Sequence, residues 1–220
     1  MTESKTIRVF IVDDHPIVRE GLIQLVEREK DLTVCGEAAD APSALEALAR
    51  LKPDVAVVDI SLQGMSGLQL VKQIAAEHKK IAPLVLSMHD ERVYAERALR
   101  AGAKGYIMKQ QATRNVVSAI RQVAQGQVYL SEDLAARMMH SFVGRGAMPG
   151  TSPVETLTDR ELEVFRLIGQ GFKTHQISEK LFLSVKTVET YRENIKSKLN
   201  LANATELRQH AIEWVHGEGV

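Results

Sequence analysis

The chain has 220 residues and a single cysteine, Cys35. One thiol can form neither an intrachain disulfide nor a cysteine-based zinc site, and its apolar neighbourhood reads as buried filler. Long apolar runs are missing as well. Runs such as Val55–Val58 are strand-sized, far short of the roughly 18 residues a membrane span needs. The opening Met-Thr-Glu-Ser-Lys leads straight into Ile7–Val12 with no signal-peptide core, so a cytoplasmic protein with no membrane association is expected. Net charge is also lacking. The 28 basic residues balance the 28 acidic ones, which argues against a generic polyanion binder.

What is present suits a soluble protein of two ordinary domains, with 45% hydrophobic and 25% charged residues. The first 130 or so residues alternate strand and helix. Short Val- and Ile-rich runs at Ile7–Val12, Thr33–Ala38, Asp54–Asp59, Pro83–Ser87 and Lys104–Lys109 read as buried parallel strands. Amphipathic helices lie between them: one opens at Pro16 and buries Val18, Leu22, Leu25 and Val26, and others cover Ala41–Leu51, Gly67–His78, Glu91–Ala101 and Thr113–Gln125. Five βα units imply a parallel sheet between helices. A further helix is expected at Ser131–Phe142, followed by a flexible linker at Gly144–Pro153.

Beyond the linker the pattern is all helical. Thr158 and Glu161 form a capping box for a helix to about Ile168, closed by Gly169 and Gly171. Helices follow near Thr174–Phe182, Ser184–Leu199 and Asn203–Val215, and the very short join around Leu183 is that of a helix-turn-helix. The expected boundaries are therefore 1–128 for the α/β domain, 129–154 for a linker with a helix, and 155–220 for a small all-α four-helix domain. From Gly171 to Asn200 six basic residues face three acidic ones, a modest footprint for nucleic acid.

The chemistry-bearing residues fall at strand ends. Asp13 and Asp14 follow the first strand, Asp59 ends the third, Ser87 the fourth and Lys109 the fifth. Ligands of open parallel sheets bind at those ends, where the strand order reverses. Order 2-1-3-4-5 sets strands one and three side by side and brings the three carboxylates together. Such a group repels itself unless a cation intervenes, and oxygen ligands alone suit Mg²⁺. A carboxylate can also accept a phosphoryl group, with Lys109 and Ser87 stabilising its oxygens.

The segments Val12-Asp13-Asp14-His15-Pro16, Val58-Asp59-Ile60-Ser61-Leu62-Gln63-Gly64-Met65-Ser66-Gly67, Leu86-Ser87-Met88-His89 and Gly102-Ala103-Lys104-Gly105-Tyr106-Ile107-Met108-Lys109 resemble the receiver domains of two-component systems, over essentially all of residues 5–125. The resemblance implies a flavodoxin-like doubly wound fold. It implies that Asp59 is phosphorylated by a sensor histidine kinase, and that Mg²⁺ is held by Asp14, Asp59 and the Ser61 carbonyl, with Asp13 acting mostly through water. It further implies a switch pair, Ser87 and Tyr106, in which the Ser87 hydroxyl turns to the phosphoryl group and the Tyr106 ring follows inward. His89, two residues beyond Ser87, stands where such domains tune phosphate lifetime. Gln63 replaces a usual proline, leaving its loop less rigid. Ser87 replaces a frequent threonine, and Gln110 a frequent proline.

The second half resembles the LuxR-type DNA-binding domain in Leu157-Thr158-Asp159-Arg160-Glu161 and in Ile177–Leu199, with Ser178 and Tyr191 as small departures. The two resemblances together define the NarL/FixJ type of response regulator. In Ser184–Leu199 the residues Val185, Val188, Ile195 and Leu199, with the stem of Arg192, form an inward stripe. The opposite face carries Lys186, Glu189, Thr190, Glu193 and Lys196. Glu189, Thr190 and Glu193 align with base-facing positions, whereas Lys186, Thr187, Lys196 and Lys198 suit phosphates. The family places a dimer contact on the last helix, here Leu207, Ala211 and Trp214. A homodimer formed on activation and bound to an inverted repeat is expected, with RNA polymerase a further partner compatible with that role.

Two rival readings stand beside this one. A phosphatase with an Asp nucleophile needs a second acid two residues on, where this chain has Ser61. A constitutive DNA binder with a vestigial receiver would not need the full set of Asp13, Asp14, Asp59, Ser87 and Lys109.

Overall fold

A computed structural model describes residues 6–62, 64–143 and 153–217. Most of the expected linker and Gln63 lie outside the described residues. The chain divides into two units, Met1–Met138 and Met139–Val220.

The first unit is a five-stranded parallel sheet of order β2-β1-β3-β4-β5, built from β1 (Ile7–Val12), β2 (Leu32–Ala38), β3 (Val55–Asp59), β4 (Ala82–Ser87) and β5 (Gly105–Met108). The helices are α1 (Pro16–Glu27), α2 (Ala41–Leu51), α3 (Gly67–Glu77), α4 (Glu91–Ala101) and α5 (Ala112–Ala124), and α6 (Glu132–Val143) begins in this unit. All five residues of β3 are buried, as a central strand covered on both faces requires. The core on one face joins Val9, Ile11, Val57, Leu84 and Leu86 to Leu22 and Val26 of α1 and Val116, Ile120 and Val123 of α5. Val18 and Leu25, expected inside α1, are only partly buried at its rim.

Local chemistry sets the helix starts. Pro16 opens α1, Asp40 caps α2 through the Ser43 amide at 2.9 Å, and Ser66 caps α3. The sheet's order reverses at β1 and β3, so the loops after these strands meet. One expectation is shifted: β5 stops at Met108, and Lys109 begins a 3-10 turn, Lys109–Gln111, that leads into α5.

The second unit contains α7 (Asp159–Gly169), α8 (Thr174–Leu181), α9 (Val185–Leu199) and α10 (Ala204–Gly217), preceded by a 3-10 turn at Pro153–Thr156. Thr158 and Glu161 form the expected capping box. Leu162, Phe165, Ile177, Val188, Ile195, Leu207 and Ala211 make the core. Phe182, in the left-handed region at φ 53°, turns the chain between α8 and α9, and Ser184 caps α9. Among the described residues no helix is long and apolar enough to cross a membrane.

Candidate functional site

The carboxyl edge of the sheet gathers the residues expected there. Val12 pairs in register with Val58, so Asp13 and Asp14 emerge beside Asp59. Asp13 and Asp59 are each 1% exposed. Two buried carboxylates of like charge need compensation, and Lys109 supplies it. Its Nζ lies 2.6 Å from Asp13 Oδ2 and 2.7 Å from Asp59 Oδ2. Backbone amides hold the other oxygens: Ser61 N–H donates to Asp59 Oδ1 at 3.2 Å and His15 N–H to Asp13 Oδ1 at 2.9 Å. Gly67 makes this loop possible. A Cβ there would stand 1.8 Å from the Asp59 carbonyl oxygen, so only glycine lets α3 begin so close to the strand end.

Electrostatics follow from burial. Desolvation pushes the Asp59 carboxyl above its ordinary range, and Asp13 adds to this, while Lys109 pulls the other way. Burial alone would lower Lys109, but the charges of Asp59 and Asp13 outweigh it and the ammonium is held more tightly than usual. One lysine still faces three carboxylates. Asp14 contributes a buried Oδ1 to the same group, and ligand atoms of Asp13, Asp14, His15 and Asp59 lie within 4.8 Å of one another. This surplus of oxygen donors fits a hard divalent cation such as Mg²⁺. His15 enters the group through Nδ1, 2.7 Å from Asp14 Oδ1; in the sequence it merely flanked the pocket.

Ser87 is fully buried at the end of β4, and its Oγ accepts the His89 amide at 3.1 Å. Tyr106 is 1% exposed, with its ring already inward and its hydroxyl donating to the His89 carbonyl at 2.9 Å. Burial raises the Tyr106 phenol far above its ordinary value, so it remains a donor. The His89 ring bridges to Ser61 Oγ at 2.9 Å and stacks on Tyr94 at 4.7 Å. It therefore spans from the β4 loop to the Asp59 loop.

In the second unit α9 exposes Lys186, Glu189, Thr190 and Glu193 on one face, with Thr187, Arg192 and Lys196 partly buried. Lys196 pairs with Glu193 at 2.9 Å and Thr190 Oγ1 bonds the Lys186 carbonyl. Two expectations need correction. Val185 is 40% exposed and not part of the inward stripe, because the first turn of α9 projects beyond the core. Lys198, expected near phosphates, is exposed and also donates to Glu161 Oε2 at 2.6 Å, neutralising that buried cap residue. Leu207 and Ala211 are fully buried within the unit, so they are unavailable as a dimer face. Trp214 stays partly exposed while packing on Phe165 at 5.5 Å. The sequence reading missed the Lys198–Glu161 pair because the capping box explained Glu161 without a second partner.

Residues 9–121 match the response regulator receiver domain, and residues 155–211 match the luxR family of bacterial regulatory proteins. The chain is 36% identical over 210 residues to the oxygen regulatory protein NreC of Staphylococcus carnosus, covering 94% of this chain and 97% of that one. Among solved structures it resembles RcsB from Salmonella enterica serovar Typhimurium bound to the promoter rprA in the presence of the phosphomimetic BeF3−. That match has a TM-score of 0.66 and 25% identity, over 94% of this chain and 98% of that one. It also resembles the response regulator ChrA of a heme-sensing two-component system, with a TM-score of 0.52 and 30% identity over 95% of this chain and 98% of that one. The sheet order, the acidic pocket and the helix-turn-helix thus agree with the comparisons, and the chain belongs to the two-component response regulators that join a receiver domain to a LuxR-type DNA-binding domain.

Proposed function

We propose that Asp59 is the phosphoacceptor of a cytoplasmic signalling pair and that its phosphorylation controls sequence-specific DNA binding. The supporting observation is the Lys109 ammonium held between two buried carboxylates at the reversal point of the sheet. A sensor histidine kinase, or a small acyl phosphate, is the donor. An Asp59 carboxylate oxygen attacks phosphorus, the new O–P bond forms as the bond to the donor breaks, and the donor leaves with its electron pair. Asp14, Asp59 and the Ser61 carbonyl would hold Mg²⁺, with Asp13 beside them, and the ion would supply charge neutralisation at the phosphoryl oxygens. Lys109 then turns its charge to the phosphoryl group, and the Ser87 hydroxyl donates to it.

The change at Ser87 is read by Tyr106, whose hydroxyl already reaches the neighbouring loop at the His89 carbonyl. The receiver is residues 1–128, residues 129–154 are a linker with a helix, and residues 155–220 bind DNA. On α9, Glu189, Thr190 and Glu193 face bases, and Lys186, Thr187, Arg192 and Lys196 face phosphates. Lys198 serves the cap of α7 first. RcsB dimers have been seen bound to DNA. A homodimer on an inverted repeat is the matching arrangement here, with Trp214 the exposed part of its contact.

The test is to incubate the protein with Mg²⁺ and acetyl phosphate and trap the product. An acid-labile phosphoprotein in the wild type, absent in Asp59→Ala, supports the assignment. Equal labelling of both proteins, or multiple turnover of an added phosphate ester, refutes it.

A further inference from the structure

The chain leaves α5 through Gly126 and returns along the open edge of β5. Gln122 holds this return, donating from Nε2 to the Val128 carbonyl at 3.0 Å. Tyr129 then adds a one-residue parallel bridge to the sheet. Its amide donates to the Lys104 carbonyl at 2.9 Å, and its carbonyl accepts the Tyr106 amide at 3.2 Å. Gly105 permits the approach: a Cβ there would stand 2.8 Å from the Tyr129 carbonyl oxygen and 3.0 Å from its Cβ. Two residues on, Ser131 Oγ donates to Glu91 Oε1 at 2.7 Å and accepts the Leu134 amide at 3.2 Å, which caps α6.

These contacts close a ring. The amide of Tyr106 is held by Tyr129, and its phenol is held by the His89 carbonyl. Two residues after His89, Glu91 opens α4 and holds Ser131. Residues 129–131 therefore bridge the two elements that carry the switch, β5 and the start of α4. Neither element can shift against the other without changing the geometry at Ser131, and Ser131 fixes the first turn of α6.

We propose that residues 129–131 are a strap that converts rearrangement of Ser87 and Tyr106 into a change at the start of α6, with the Ser131–Glu91 hydrogen bond as its coupling element. This rests on the reading that phosphorylation of Asp59 acts through that switch pair. A strap that only covered a free sheet edge would not respond to the phosphorylation state.

The test follows amide hydrogen exchange in the full chain with Mg²⁺, before and after addition of beryllofluoride. The wild type should change protection at the Tyr129 and Leu134 amides by about fivefold or more, together with the His89 amide beside the phosphorylation pocket. Glu91→Ala should keep the His89 response and lose the Leu134 response. Ser131→Ala should do the same. Ser131→Asn, which can both cap α6 and donate to Glu91, should restore it. A His89 response with Tyr129 and Leu134 unchanged in the wild type would overturn the strap alone. So would a full Leu134 response in Glu91→Ala. If even the His89 amide does not respond, the phosphorylation reading falls and the strap falls with it.

Discussion

The Lys109 ammonium sits 2.7 Å from the Asp59 carboxylate, with both side chains almost wholly enclosed. Asp13 shares the same nitrogen at 2.6 Å. The pocket is thus assembled around one cation and two buried anions, and removing the cation should leave both anions uncompensated. Lys109→Met should destabilise the first unit by about 3 kcal/mol. Mg²⁺ should recover part of the loss, because it also neutralises the carboxylates. Urea unfolding with and without Mg²⁺ measures both effects, and an unchanged midpoint would show that the pair has no structural role.

Gly67 should tolerate no side chain. Its Cβ would overlap the Asp59 carbonyl oxygen, so Gly67→Ala must displace the loop or the start of α3. Overpacking of this kind costs about 1–3 kcal/mol. The same displacement should slow labelling of Asp59 by acetyl phosphate, measured as the rate of phosphoprotein formation.

Much of this pocket is legible in the sequence because strand ends are legible. Asp13, Asp14, Asp59 and Ser87 each close a short apolar run, and the alternation of strands and helices dictates which ends meet. The Tyr129 bridge and the Ser131–Glu91 bond were not legible, although Ser131 was read as a helix start. A single bridging residue has no period to detect, and its partner carbonyl on Lys104 is a backbone group that every sequence possesses. The burial of Leu207 and Ala211 was ambiguous for a different reason. Apolar residues at helical spacing look alike whether they close a core or form a contact between copies.

Glu161 should give the second unit a dependence on pH. Burial opposes its charge, but Lys198 and the Thr158 amide outweigh burial and hold the carboxyl below its ordinary range. A depressed folded value means that this stabilisation is present above the unfolded value, about 4.3, and is lost as pH falls through the folded one. The stability difference between wild type and Glu161→Gln should therefore be largest near neutral pH, about 1–2 kcal/mol, and shrink below pH ~4. Chemical denaturation of both proteins across that range reads it directly.

On α9, Lys186→Ala should weaken binding to all DNA sites about equally and reduce the salt slope by about 1. Thr190→Ala or Glu189→Ala should instead alter which base is preferred at one position, by about 1–3 kcal/mol. Affinity for a selected site and its single-base variants, measured at several salt concentrations, separates the two behaviours.

The central claim is that the state of Asp59 governs DNA binding. Its most direct measurement is the affinity of wild type and Asp59→Ala for a selected DNA site, before and after treatment with Mg²⁺ and acetyl phosphate. The account predicts that treatment tightens binding of the wild type by about tenfold or more and leaves Asp59→Ala unchanged. Equal affinities for both proteins, treated and untreated, would contradict it.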